Sequence, residues 1–347
     1  MRYWGRKPDS IINELIEDSS DMIVDPFGGS GAIVSAAAQA GRRGIYLDIN
    51  PYAWLVAFVN TQGINKDEFM EKGRQVLEVA KGMRVRKTVL RDDFLYYRDG
   101  TPFFKKRNVE RVSEIFSQDN FRKLYSILKA IDQVDTSFNT KIALYAAFCA
   151  SLFPSSKMKR RGAGSWGVPS YWIPKVHEEL DAFQVFERTL KRFRKQNGQL
   201  NVELMIRNSL SYKYPRNATL ITDPPFFDEV QYMELSYFYW VWLRESNFGN
   251  LLGKKIRFSF SKELIYNPRR ASLETYFSRF DKFLDRTKRM KRKFLIFHED
   301  DHKLRERIVG LVRERWGNVK VDSVSIDNQR RIGPRGGTEY LVIRSYT

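Results

Sequence analysis

The fold of this chain is decided by one stretch, MIVDPFGGSG at residues 22–31. Its opening apolar residues predict a short buried strand, and the good helix formers at residues 32–38 predict a helix directly after the glycines. Glycine lets the backbone approach a ligand closely, and the N-terminus of the following helix offers free N–H groups. A strand, a glycine-rich turn and a helix in this order indicate the opening of a nucleotide-binding βαβ unit.

A second turn completes the predicted pocket. The strand expected at residues 44–47 ends in Asp48, with Asn50 and Pro51 close behind. An acid at the end of the second strand can hold ribose hydroxyls, as in the Rossmann fold. The dinucleotide fingerprint would need a further glycine at position 34, which is Val34, so a pyrophosphate ligand is disfavoured. We therefore expect a pocket for an adenosine that carries something other than pyrophosphate.

A third turn, TDPPFFDE at residues 222–229, follows an apolar strand expected at 218–221. The two prolines must end that strand because neither can donate to a ladder. Asp223 is thus left at the carboxyl edge of the sheet, where ligands bind in open α/β folds. The acid and a neighbouring carbonyl can accept hydrogen bonds from an exocyclic NH2 while Phe226 stacks on the base. Taken alone, the turn would equally serve as a rigid end to the strand.

Two of these motifs, in this order, resemble a known enzyme family. Residues 25–31 resemble the DPFxGSG motif, and residues 223–226 the DPPY/DPPF motif, of S-adenosylmethionine-dependent amino-methyltransferases acting on adenine N6 or cytosine N4. Residues 223–243 are similar to proteins labelled adenine-specific DNA methylases. The resemblance covers about residues 1–60 and 200–345. It implies an α/β, Rossmann-like class I methyltransferase fold with a mostly parallel seven-stranded sheet.

The resemblance also implies roles for individual residues. Catalysis would lie with the DPPF turn: Asp223, Pro224, Pro225 and Phe226. The cofactor S-adenosylmethionine would be held by the N-terminal segment, the glycine-rich turn and the end of the second strand: Trp4, Arg6, Lys7, Pro8, Asp25, Pro26, Phe27, Gly28, Gly29, Ser30, Gly31, Asp48, Asn50 and Pro51.

The charge of the chain points to a polyanionic partner. The chain of 347 residues contains 60 Lys and Arg and 41 Asp and Glu, which gives it a net charge of +19. Solubility alone needs a net charge of only about 2–8 for a small domain. Basic loops at residues 157–172 and 328–337 suit phosphate contact and base stacking, although ordinary solvated loops would look similar. The residues expected to contact nucleic acid are Lys159, Arg160, Arg161, Trp166, Tyr171, Arg330, Arg331 and Arg335.

Residues 61–199 lie outside the resemblance and predict helices at about 66–82, 120–134, 138–153 and 177–197. We expect residues 1–60 and 200–347 to form the catalytic, cofactor-binding domain, and 61–199 a helical insertion for target recognition. One cysteine, Cys149, excludes a disulfide within the chain, and three histidines show no metal spacing, so no metal is expected. No apolar run is long enough for a membrane span, and we expect a cytoplasmic protein without membrane contact.

The sequence leaves the substrate open. DNA is favoured, and the alternative is structured RNA, specifically ribosomal RNA in the ribosomal subunit at a cytidine N4. Methylation of cytosine C5 is rejected because it needs a cysteine nucleophile, and Pro225 is followed by Phe226 instead. The alternative from another class is a non-catalytic nucleic-acid-binding protein on a methyltransferase fold, which the two intact motifs disfavour.

Overall fold

The computed structural model describes residues 4, 8–85, 89–162, 171–193, 198–227, 230–253, 256–327 and 337–347. The chain divides into two compact units. The helical unit comprises Met1–Tyr3, Phe58–Gln199 and Tyr232–Phe258, and the sheet unit comprises Trp4–Ala57, Leu200–Gln231 and Ser259–Thr347. The sequence analysis places the two domain boundaries at residues 60 and 200. The structure differs from it chiefly by giving the segment Tyr232–Phe258 to the helical unit.

The strands of the sheet unit are β1 (Met22–Asp25), β2 (Arg43–Asp48), β3 (Val202–Ile206), β4 (Thr219–Thr222), β5 (Arg292–Phe297), β6 (Val319–Asp327) and β7 (Gly337–Tyr346). They form one seven-stranded sheet in the order β3-β2-β1-β4-β5-β7-β6. Neighbouring strands from β3 to β5 pair in parallel, while β7 runs antiparallel to both β5 and β6. Six strands therefore point one way and one points the other. The α/β class and the mostly parallel sheet of seven strands are confirmed, and they are compatible with a Rossmann-like fold.

Helices cover both faces of this sheet. On one face, the side chains of Ile23 and Ile221 pack with α1 (Asp9–Glu17) and α2 (Ala32–Gln39). On the other face, strand residues such as Leu220 pack with α10 (Leu273–Thr287) and α11 (His302–Trp316). Successive side chains of a strand point to opposite faces, so a strand that is buried on both sides reads as a continuous apolar run. This burial explains why β1 and β4 could be predicted from short stretches.

Two of the longer helices were not predicted from the sequence. The first, α3 (Pro51–Thr61), begins directly after β2, and its residues are apolar nearly all round, which hides a helical period. The second, α10, has a clear period, since Tyr276, Phe280 and Phe283 recur at helical spacing and are all buried. The sequence therefore carries a signal for α10, whereas the signal for α3 is hidden by its uniform composition.

The helical unit contains α4 (Lys66–Gly82), α5 (Gln118–Gln133), α6 (Phe138–Leu152), α7 (Ala182–Arg192), α8 (Tyr232–Leu243) and α9 (Phe248–Leu251). The helix α8 lies here because it is apolar on every side: the ring of Trp242 packs within 5.1–5.7 Å of the rings of Phe116, Phe121 and Phe148. None of the helices in the described ranges is long and apolar enough to cross a membrane. The fourth predicted helix is shorter than expected, because the Asp181 side chain accepts a hydrogen bond from the Gln184 N–H and caps the helix there.

Candidate functional site

Three carboxylates lie at one edge of the sheet. Asp25 is the last residue of β1, Asp48 is the last residue of β2, and Asp223 directly follows β4. Because these strands are parallel neighbours, their carboxyl ends meet at the same edge. The strand order reverses between β1 and β4, which makes this the topological switch point where open α/β sheets bind ligands.

Asp25 is buried, with 2% of its surface exposed. Its Oδ1 atom accepts a hydrogen bond of 2.7 Å from the Thr222 hydroxyl and one of 3.2 Å from the Phe27 N–H. Burial raises the pKa of this carboxyl to about 7, the two hydrogen bonds oppose the shift, and the charges of Asp223 and Asp48 add to it. Asp25 therefore titrates near neutral pH, and a positive charge placed beside it would favour its ionised form.

The glycine-rich turn fits closely against β2. A Cβ atom on Gly28 would lie 2.1 Å from a ring carbon of Tyr46, so no larger residue has room there. The Tyr46 hydroxyl donates to the Gly29 carbonyl at 2.9 Å, and the Gly28 N–H donates to the Leu47 carbonyl at 2.9 Å. Gly31 has φ +78°, a left-handed conformation that favours glycine, and it precedes the first turn of α2. The turn is thus held in one shape with the helix N-terminus behind it.

Asp48, at the end of β2, stabilises the same turn by hydrogen bonds. Its Oδ2 accepts from the Gly29 N–H at 3.0 Å, and its Oδ1 accepts from the Asn50 N–H at 2.8 Å. Burial raises the pKa of Asp48 to about 6. The Asn50 side chain accepts from the Tyr52 N–H at 3.0 Å, with Pro51 at the first position of α3. A carboxylate has about four acceptor sites, so Asp48 retains capacity for ligand hydroxyls.

The DPPF turn packs its aromatic residues inward. Asp223 and Pro225 are half-buried, and Pro224 is buried. The Phe226 ring lies 5.3 Å from the Phe297 ring and is 6% exposed, so a base could stack on it only after the turn rearranges. Phe227 has φ +38° and packs against Tyr276 at 4.9 Å.

The remaining residues predicted to bind the cofactor lie around this edge or outside the described ranges. The Trp4 ring lies 6.2 Å from the Tyr52 ring, and Pro8 directly precedes α1. The Phe27 ring meets the Phe283 ring edge-on at 5.0 Å. Pro26 is buried and Ser30 is half-buried within the glycine-rich turn. Two predicted residues, Arg6 and Lys7, lie outside the described residues.

Sequence reasoning missed three residues of this site. Thr222 and Tyr46 hold Asp25 and the glycine-rich turn. Thr222 opens the third quoted turn and Tyr46 stands in the strand predicted before Asp48, so the polar group of each could have been noticed. Tyr276 is fully buried in α10, and its hydroxyl has no hydrogen-bond partner within the part of the chain that the structure describes. Burial, together with the charges of Glu299 and Asp223, raises the pKa of Tyr276. Its place beside the DPPF turn had no signal in the sequence.

The predicted nucleic-acid contacts divide into three groups. Arg160 and Arg161 are exposed, whereas Lys159 forms an ion pair with Glu178. Tyr171 corrects the prediction: it is fully buried and its hydroxyl donates to the Glu234 carbonyl at 2.6 Å, so it has no free face for a base. The others lie outside the described residues: Trp166, Arg330, Arg331 and Arg335.

The site can therefore hold a ligand that presents hydroxyl groups and positive charge to one buried and two half-buried carboxylates. Among the residues with described positions, no group of three or more His, Cys, Asp or Glu side chains is arranged to hold a metal ion. Comparison of the chain with protein-family models, with curated proteins and with solved structures finds no match. Any assignment of function depends on the chain's own residues and their geometry.

Proposed function

We propose that this chain is an S-adenosylmethionine-dependent methyltransferase that modifies the exocyclic amine of a nucleic-acid base, at adenine N6 or cytosine N4. One observation carries the proposal. The DPFGGSG turn and the DPPF turn follow β1 and β4, the two strands that flank the switch point of the sheet. A cofactor held by the first turn and a base held by the second would meet at the edge where such sheets bind ligands. A class I methyltransferase fold is the finer assignment that this arrangement supports.

The residues of the first turn fit the proposed cofactor. When bound, S-adenosylmethionine supplies an electrophilic methyl group on a positively charged sulfonium. The raised pKa values of Asp25 and Asp48 mean that both carboxylates gain from a nearby cation. Asp48 keeps acceptor capacity for ribose hydroxyls, and Gly28 lets the turn lie directly against the Tyr46 ring because only glycine fits there.

The residues of the second turn suit the target amine. An exocyclic amine is a poor nucleophile because its lone pair is delocalised into the ring. Asp223 and the Pro224 carbonyl would accept hydrogen bonds from its two N–H groups and favour the pyramidal nitrogen, as preorganised acceptors stabilise developing charge. As the nitrogen gained the methyl group, the sulfonium would leave as a neutral thioether, and Asp223 is placed to take the proton that the nitrogen loses. Alignment of that nitrogen with the methyl group supplies much of the remaining rate. The base must be flipped out or already unpaired to reach the turn.

The net charge of +19 and the exposed arginines of the helical unit support a nucleic-acid substrate. DNA is the first proposal, and cytidine N4 of ribosomal RNA is the alternative. A binder without catalysis would not need the two intact motif turns. Methylated DNA, methylated RNA or the absence of a methylated product distinguishes these three functions.

The deciding experiment incubates the purified chain with radiolabelled S-adenosylmethionine and, separately, with unmethylated genomic DNA, total RNA and unmodified ribosomal subunits. The labelled nucleoside is identified by mass spectrometry. We expect N6-methyladenine from DNA, or N4-methylcytidine from RNA under the alternative. Label in neither polymer, from a folded protein that binds the cofactor, would refute the proposal.

Three variants test the roles of the carboxylates. Asp223→Ala should abolish transfer and leave cofactor binding intact, whereas Asp48→Ala should weaken cofactor binding. Asp300→Ala is the matched control, because Asp300 follows β5 at the same edge but is 94% exposed. It should leave both properties unchanged. Transfer by a folded Asp223→Ala protein at the wild-type rate would remove Asp223 from the mechanism.

A further inference from the structure

In the helical unit, the backbone is held in place on both sides of Trp172, while the Trp172 side chain stays exposed. The Tyr171 hydroxyl donates to the Glu234 carbonyl at 2.6 Å. The side chain of Asn108 binds Ile173 twice, accepting from its N–H at 2.7 Å and donating to its carbonyl at 2.8 Å. Between these anchors, 48% of Trp172 is exposed. The indole therefore projects from a fixed backbone.

The backbone conformation beside it is unusual. Tyr171 has φ +55°, in the left-handed region that residues with a Cβ atom seldom adopt. Such conformations persist where the surroundings enforce them, and they concentrate at functional sites. Here the enforced turn buries Tyr171 completely and leaves the next residue, Trp172, outside the core. Tryptophan is highly buried on average, so its exposure at this position needs an explanation.

A cavity of about 450 Å³ adjoins the exposed indole. That volume lies within the range of ligand pockets, about 300–1,000 Å³. Arg160 and Lys175 are exposed, and neither has an ion-pair partner in the described ranges. No acidic residue is among those that line the cavity: Met158, Arg160, Trp172, Pro174, Lys175 and Val176. The cavity thus combines an aromatic face with two cations that are not neutralised by its walls.

We propose that this cavity binds one unpaired nucleotide of the nucleic-acid substrate, with its base stacked on Trp172 and its flanking phosphates paired with Arg160 and Lys175. The inference rests on the proposed function in taking nucleic acid as the partner. Aromatic side chains are stacking platforms for unpaired bases, and cations along the backbone complete such sites. In a duplex the base faces are already occupied by their neighbours. The chain should therefore prefer single-stranded segments or loops at this surface.

The test measures binding without the methyl-transfer reaction. Fluorescence anisotropy follows a labelled single-stranded oligonucleotide of about 12 nucleotides, as DNA and as RNA, and its matched duplex, across a series of salt concentrations. The proteins are the full wild-type chain, Trp172→Ala, Trp172→Phe, the double variant Arg160→Ala/Lys175→Ala and Arg192→Ala. Arg192 is the charge control, since it is exposed in the same unit and does not line the cavity. Thermal unfolding checks that each variant is folded.

The aromatic and the cationic side chains should respond differently to substitution. Trp172→Ala should weaken single-strand binding about 5- to 150-fold, the usual contribution of one stacked base, without changing the salt dependence. The double variant should reduce the slope of log affinity against log salt by about 0.7 for each phosphate that is no longer neutralised. Trp172→Phe should retain part of the affinity, and Arg192→Ala should behave as wild type in affinity.

Equal affinity of wild type and a folded Trp172→Ala protein for single strands would overturn the proposal. So would tighter binding of the duplex, or binding of an acidic peptide by the cavity in place of the oligonucleotide. Failure of the proposed enzyme activity is a separate outcome: single-strand binding that depends on Trp172, in a protein that transfers no methyl group, would keep this site and refute the catalytic proposal.

Discussion

Asp25 should make the protein less stable as the pH rises toward neutral. Its pKa is raised from 3.8 to about 7, a difference of about 3.2 units, and each unit corresponds to about 1.4 kcal/mol. Ionising this carboxyl therefore costs the folded state about 4 kcal/mol relative to the unfolded chain. The whole free energy of unfolding of a typical domain is about 5–15 kcal/mol, so one buried carboxyl accounts for a large fraction of that amount.

The sign follows from where the proton is bound. Below about pH 4 both the folded and the unfolded chain hold the proton, and Asp25 costs nothing. Between about pH 4 and pH 7 the unfolded chain loses the proton first, so the free energy of unfolding falls as the pH rises. Above about pH 7 the folded state is ionised as well, and the decrease in stability is complete.

Asp25→Asn should remove this dependence. The amide oxygen can accept the same hydrogen bonds from Thr222 and Phe27, and the side chain stays neutral at every pH. The free energy of unfolding of the variant, relative to that of wild type, should increase by about 2–3 kcal/mol from pH 5 to pH 8. Comparing differences cancels any constant cost of burying the new amide NH2.

Urea unfolding followed by tryptophan fluorescence measures the effect, with the slope against urea checked for constancy. Asp300→Asn serves as the control because Asp300 is exposed, and it should give a pH profile parallel to wild type. Parallel profiles for Asp25→Asn and wild type across the same pH range would refute the reasoning, since they would mean that Asp25 is not desolvated in the folded protein.

Two further substitutions test the packing of the site. Gly28→Ala would place a methyl group 2.1 Å from the Tyr46 ring, and we expect a decrease of about 1–3 kcal/mol in the free energy of unfolding by urea. Its control is Gly310→Ala in α11, where an added Cβ atom would have no heavy atom within 4 Å. This control should raise the free energy of unfolding by about 0.5–1 kcal/mol. Equal effects at both sites would contradict the close packing of Gly28. Tyr276→Phe removes a buried hydroxyl that lacks a partner in the described chain and should raise the free energy of unfolding by about 1 kcal/mol. A lower melting temperature for that variant would mean that the hydroxyl is satisfied in solution.

Much of the fold was readable in advance because its signals are local. The apolar residues of β1, the glycines of residues 28–31 and the helix formers of α2 are contiguous. The two prolines after Asp223 end β4 by covalent geometry alone. The surrounding residues do not alter these properties, so the strands and turns of the site were predicted within a few residues.

Assignments that depend on contacts between distant segments were less accessible. The segment Tyr232–Phe258 was predicted to belong with the sheet because it lies within the part of the chain that resembles the methyltransferase family, but its aromatic side chains are buried among helices of the helical unit. Tyr171 and Trp172 are adjacent aromatic residues, and the sequence pattern does not say which one is buried. That choice depends on Asn108 and the Glu234 carbonyl, which are more than 60 positions away.

By itself the sequence determined which side chains stand at the ends of the strands: Asp25, Asp48 and Asp223 follow apolar runs in order. Only the tertiary structure decided the chemical state of these side chains. The pKa of Asp25 depends on burial and on a hydrogen bond from Thr222, 197 positions along the chain. The folded chain alone brings that hydroxyl to the carboxylate and removes water from both, because the parallel pairing of β1 and β4 sets their carboxyl ends side by side.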